Sequence, residues 1–174
     1  MSESFTPLIE KVDLLLTEFD ELVTSGPHFK IVHRFHEPET RCLPGEQVGW
    51  VLLMHHSREH HLRLPISLLL LFDYLAKNRH RPQSATQIVA GMRANSFYTR
   101  HGSNVSIGTR QTRRISRTSV REYVKRIRRA LQLCFTEAGL HLDPYAVLVS
   151  ERTESNEIHY RLRATVEWIH IDRT

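Results

Sequence analysis

Ser119-Val-Arg-Glu-Tyr-Val-Lys-Arg-Ile-Arg-Arg-Ala-Leu131 is the stretch from which the rest of this chain can be read. Val120, Val124, Ile127 and Leu131 recur at i, i+4, i+7 and i+11, which puts four apolar side chains on one stripe of an α-helix. At about 100° per residue, Arg121, Lys125 and Arg128 fall on one flank of the remaining arc, and Glu122, Arg126 and Arg129 on the other. Five of these six outward positions are cations. A solvated helix face ordinarily mixes signs and sets Glu four residues before Lys. A face this one-sided repels itself unless an anion meets it, and the simplest such partner is a phosphate backbone.

The basicity is local. From residue 100 to 129 the chain carries Arg100, Arg110, Arg113, Arg114, Arg117, Arg121, Lys125, Arg126, Arg128 and Arg129 against the single acid Glu122, a formal +9. The whole protein is +5, so everything else sums to −4. Residues 1–26 hold Glu3, Glu10, Asp13, Glu18, Asp20 and Glu21 against Lys11, a formal −5. An acidic start and a basic middle imply a division of labour, the first segment meeting protein and the second a polyanion.

At 174 residues, 40% hydrophobic and 25% charged, the chain lies in the globular range and is long enough for one good core. Cys42 and Cys134 are far apart and have no CxxC partner, which favours incidental thiols in a reducing compartment over a disulfide framework. There is no basic segment followed by an apolar run at the N-terminus, and no window approaches the roughly 18 apolar residues of a membrane span. The expected location is cytoplasmic, on the nucleoid, with no membrane partner and no cofactor.

Residues 7–24 read as an amphipathic helix, with Leu8, Val12, Leu15, Leu16, Phe19, Leu22 and Val23 recurring at three and four. Its stripe of Leu8, Val12, Leu15, Phe19 and Leu22 serves either as a lid on its own domain or as a dimer seam. Residues 29–35 and 47–55 read as strands and 60–64 as a third, forming a small antiparallel sheet that ends at Pro65. A helix follows to about Lys77, facing inward through Leu68, Leu69, Leu71, Phe72 and Leu75, and a second is capped by Ser84. Residues 99–117 form a long loop carrying Arg100, Arg110, Arg113, Arg114 and Arg117. Ser116, Thr118 or Ser119 caps the basic helix, which stops at Gly139. Residues 146–151 and 158–171 read as the strands of a terminal hairpin with Thr153, Glu154, Ser155 and Asn156 at its tip. Two units result: an N-terminal element, 1–26, and an α+β domain, 27–174.

The order sheet, helix, helix, loop, basic helix, hairpin is that of a winged helix. The quoted stretch from Ser119 to Leu131 resembles the recognition helix of OmpR/PhoB-type regulators, whose pattern is roughly T-V-D-V-H-I-R-R-L-R-K-K-L. Glu157-Ile-His-Tyr-Arg-Leu162 is similar to that family's wing ending, G-V-G-Y-R-L, and Leu64-Pro65 loosely matches its L-T/S-P-x-E opening. The resemblance covers about residues 28–165. It implies a winged helix-turn-helix with an N-terminal antiparallel sheet and a C-terminal hairpin wing, acting as a sequence-specific double-stranded-DNA-binding transcription regulator and not as an enzyme. The implied DNA contacts are Arg110, Arg113, Arg114, Arg117, Ser119, Arg121, Lys125, Arg126, Arg128 and Arg129, with Arg152 and Asn156 from the hairpin. A homodimer through the 7–24 stripe would read repeated half-sites, and the 99–117 loop stands where family members can touch RNA polymerase. The segment before the domain is too short for a phosphoacceptor receiver, so phosphorylation control is not implied. The glycines of the family wing are replaced here by Glu157 and His159, and its arginine by Asn156, which leaves Arg152 as the substitute.

Three other readings compete. His55, His56, His60 and His61 invite a metal, although neither HExxH nor a Cys/His finger spacing is present. His60-His61-Leu62-Arg63 followed by Tyr98 suggests a tyrosine recombinase, but the upstream Arg and Lys that clamp the scissile phosphate have little room before His60. A winged-helix replication initiator or partition protein would use the same helix at an origin.

Overall fold

The structure, a computed structural model, describes residues 26–33, 49–94 and 115–171. The expected helix at 7–24 and most of the 99–117 loop, with Arg100, Arg110, Arg113 and Arg114, lie outside these residues.

Three strands come first: β1 (His28–His33), β2 (Gly49–His55) and β3 (Arg58–Leu62). Then follow α1 (Ile66–Lys77), β4 (Gln83–Ser84), α2 (Ala85–Ala94), α3 (Arg117–Ala138) and the single-turn α4 (Pro144–Val147). β5 (Leu148–Arg152), β6 (Ile158–Leu162) and β7 (Thr165–His170) close the chain. The strands form two sheets, ordered β3-β2-β1-β7 and β4-β6-β5. The fold is therefore α+β, with the three helices α1, α2 and α3 packed against one another and against both sheets.

The core is continuous. Phe29, Ile31, Val51, Leu53 and Leu62 from the first sheet meet Leu68, Leu69, Leu71, Phe72 and Leu75 of α1, and Ile88 and Met92 of α2. The α3 stripe of Val120, Val124, Ile127 and Leu131 is buried as its spacing requires, and Cys134 and Phe135 extend it. Each large side chain so buried contributes roughly 1.5–3 kcal/mol. α2 is capped reciprocally, the Ser84 Oγ accepting from Gln87 N at 3.2 Å while Gln87 Oε1 accepts from Ser84 N at 2.8 Å.

The first sheet is mixed and not wholly antiparallel. β1, β2 and β3 pair antiparallel, but β7 lies beside β1 in parallel register, Phe29 opposite Val166 and Ile31 opposite Trp168. The single strand expected over 158–171 is thus two strands serving different sheets. Burial alternates without interruption from Tyr160 through Leu162 and Ala164 to Val166, so the side-chain pattern has no break. The backbone supplies it: Arg163 N–H donates to Val147 O at 2.7 Å, and Thr165 N–H donates to Pro27 O at 3.0 Å.

Other boundaries differ by a few residues. β3 occupies 58–62 because His55, His56, Ser57 and Arg58 make a two-residue hairpin turn, with His56 and Ser57 at φ 48° and 60°. β5 begins at Leu148 because Asp143 Oδ1 caps Tyr145 N at 2.9 Å and Pro144 opens α4.

Candidate nucleic-acid interface

α3 is held at both ends. Ser116 is its N-cap, accepting from Ser119 N at 3.3 Å, while the Ser119 hydroxyl accepts from Ser116 N at 3.0 Å. Ser119, an expected DNA contact, therefore spends its hydroxyl on the cap. Arg117, expected in the loop, is the first helical residue. Gly139 ends the helix in the left-handed region, φ 71°, where a side chain would be strained.

Along the exposed arc stand Arg117, Arg121, Lys125, Arg126 and Arg129, interrupted by Glu122. Among the described residues no ion pair joins any of the five cations to a carboxylate. The first turn contains no acid and the last no base, although the N-terminal end of a helix carries partial positive charge. Of the five cations Arg117 stands in that first turn, where an exposed cation costs roughly 0.3–1 kcal/mol.

Arg128 departs from the outward placement. At about 20° around the cylinder from fully buried Phe135, it sits where the exposed arc meets the stripe. Its Nε and Nη2 donate to Leu148 O at 2.9 and 2.6 Å, and Nη2 also donates to Ser150 Oγ at 2.6 Å. The guanidinium lies over the Tyr145 ring, 4.2 Å from its centroid. Burial pulls the Arg128 pKa below its ordinary value, while Tyr145, Tyr160 and Asp143 pull it back up. Burial likewise raises the Tyr160 pKa, with the charges of Arg121 and Arg128 acting the other way.

The hairpin brings a further cation to this side. On β5, Leu148, Ser150 and Arg152 share a face, and it is the face toward Arg128. Arg152 is exposed. Asn156 sits at the tip with φ 65°, a conformation Asn tolerates better than most residues, and its N–H donates to Thr153 O at 2.9 Å. Its side chain remains exposed. Sequence reasoning missed Tyr145, Ser150 and Tyr160; the Asp143-Pro144 pair was the available signal for the turn that presents Tyr145.

The histidine-rich hairpin does not assemble a metal site from the described residues, where no three His, Cys, Asp or Glu side chains converge on a point suited to an ion. His60 and His61 alternate to opposite faces of β3, and the rings of His55 and His56 lie 3.8 Å apart. Tyr98, the nucleophile of the recombinase reading, and Cys42 lie outside the described residues. Among those residues no helix is long and apolar enough to cross a membrane. No known protein family, no curated protein and no solved structure matches this chain.

Proposed function

We propose that the protein is a winged-helix, sequence-specific double-stranded-DNA-binding transcription regulator that places α3 in the major groove. The observation that carries this reading is the exposed arc of Arg117, Arg121, Lys125, Arg126 and Arg129, unpaired with acids among the described residues. The order α1, β4, α2, α3, hairpin, with β4 paired to β6 and β6 to β5, supports a winged helix in which α3 is the recognition helix and 153–157 the wing. A helix of about 10–12 Å diameter matches the major groove. One or two arginines would reach base edges, favouring guanine, and the remaining cations would hold phosphates.

A single recognition helix reads few base pairs, so specificity would come from pairing on repeated half-sites. The apolar stripe Leu8, Val12, Leu15, Phe19 and Leu22 is the proposed seam of a homodimer, its acids keeping it off the DNA, and the 99–117 loop is the proposed contact to RNA polymerase. Selection of duplexes from a random pool by the full chain tests the reading: enrichment of a repeated motif is expected, and recovery of unselected sequence would refute it. Mapping of bound sites across the source genome then separates promoters from a replication origin. Replacing Leu15 and Phe19 by Asp should give a folded monomer that binds one half-site but loses the full site.

A further inference from the structure

Arg128 changes role most between sequence and structure. Its guanidinium is used on edge and face together: a fork onto Leu148 O, a bond to Ser150 Oγ, and a stack on Tyr145. Leu148 is fully buried and opens β5, so the fork grips the root of the hairpin. Ser150 is the next residue on that strand face, and Arg152 the one after it. Tyr145 is 62% exposed, and its ring is braced by Arg128 on one side. Arg128 thus ties α3 to the first two of three same-face positions, and the third carries the exposed cation Arg152.

We propose that Arg128 is a positioning residue that sets the β5–β6 hairpin at a fixed angle to α3, holding Arg152 on the phosphate track served by Arg121 and Lys125. This rests on the reading of α3 as the DNA-facing helix. Charge alone would not serve. Lysine keeps the charge but has neither a planar fork for one carbonyl nor a flat face for an aromatic ring, and a preorganised fork loses less entropy per bond.

The experiment uses the full chain with a duplex selected from a random pool, titrated over a salt series, for the wild type, Arg128→Lys, Arg152→Ala and the double variant. Arg128→Lys should weaken binding about tenfold, or about 1.4 kcal/mol, and reduce the slope of log affinity against log salt by about 0.9, the value of one lost phosphate contact. Arg152→Ala should cause the same slope change alone and add little on top of Arg128→Lys, because the hairpin contact is already gone. Tyr145→Leu leaves every charge in place and should shift the slope in the same direction, which keeps the test open should Arg128→Lys fold poorly. In the DNA-free protein, amide exchange should quicken across β5 and β6 in Arg128→Lys while α3 stays protected. Additive losses, or wild-type binding by Arg128→Lys and Tyr145→Leu, would overturn the proposal. Faster hairpin exchange together with unchanged binding by Arg121→Ala and Lys125→Ala would keep the clamp, discard the α3 reading, and so overturn the DNA role assigned to Arg128.

Discussion

Asp73 Oδ1 accepts the Trp168 indole N–H at 2.9 Å, joining α1 to the last strand across 95 residues of sequence. Asp73 is only 1% exposed, and its other oxygen accepts from Lys77 Nζ at 2.6 Å. The His33 imidazole lies 3.9 Å from Oδ1. This carboxylate ties β7 to α1 by a directional bond, in addition to the backbone ladder that pairs the strand with β1.

Trp168→Phe keeps an aromatic ring beneath Arg79, which stands 5.5 Å from the indole centroid, but removes the donor. The buried oxygen left short of a partner should cost about 1–3 kcal/mol. Thermal unfolding followed by circular dichroism should show a lower Tm, by about 2–4 °C per kcal/mol for a chain of this size. An unchanged Tm would show that the bond adds nothing.

Gly91 on α2 faces the Tyr74 ring so closely that an added Cβ would overlap it. Tyr74 is not free to retreat, since its hydroxyl donates to Gln83 Oε1 at 2.9 Å and lies 3.2 Å from Gln87 O. Helix propensity alone makes Gly91→Ala stabilising by about 1 kcal/mol. Overpacking of about 1–3 kcal/mol should reverse that sign. Urea unfolding decides: a higher midpoint would mean that the two helices separate easily.

Cys134 is 2% exposed beneath β3, with its Sγ 3.9 Å from His60 O. Burial, aided by Glu137, pushes its pKa from 9.0 to about 11. In a Cys42→Ser background the thiol should resist iodoacetamide at pH 8, reacting only through unfolding. Because the folded value is the higher one, the stabilisation linked to the neutral thiol is complete below pH 9 and is lost as pH rises toward 11. Cys134→Ala should remove that part of the alkaline decline. Rapid labelling of the native protein would contradict the burial.

Alanine replacements along α3 should sort into two classes. At base-reading positions among Arg121, Lys125, Arg126 and Arg129, each should cost about 1–3 kcal/mol on a selected duplex and little on random DNA. Phosphate-holding positions should lose alike on both and lower the salt slope by about 0.9 each. Uniform losses at all four would leave a DNA-binding surface that does not read sequence.

α3 was legible because its two signals are local. An i, i+4, i+7, i+11 stripe fixes the buried side of a helix whatever it packs against, and Ser116 and Gly139 mark ends that depend only on neighbouring backbone. The same holds for the inward face of α1 and the Ser84 cap of α2. Arg128 was not legible in this way. Its wheel position lies at the boundary of the arc, and whether a boundary arginine turns out or in depends on whether a carbonyl awaits it 20 residues further along the chain.

For the β-structure the division is sharper. The sequence alone determined the extended segments, read at 29–35, 47–55, 60–64, 146–151 and 158–171, because β-branched and aromatic residues between turn formers mark a strand whatever it pairs with. Only the tertiary structure decided that the run from Ile158 to His170 divides at Arg163 and Ala164, giving β6 to one sheet and β7 to the other, parallel to β1. Side-chain alternation passes through that point unbroken, so it carries no trace of the exchange. Strand partners are chosen by backbone N–H and C=O groups that are identical at nearly every residue, and their choice is settled by which edge the packed helices leave within reach.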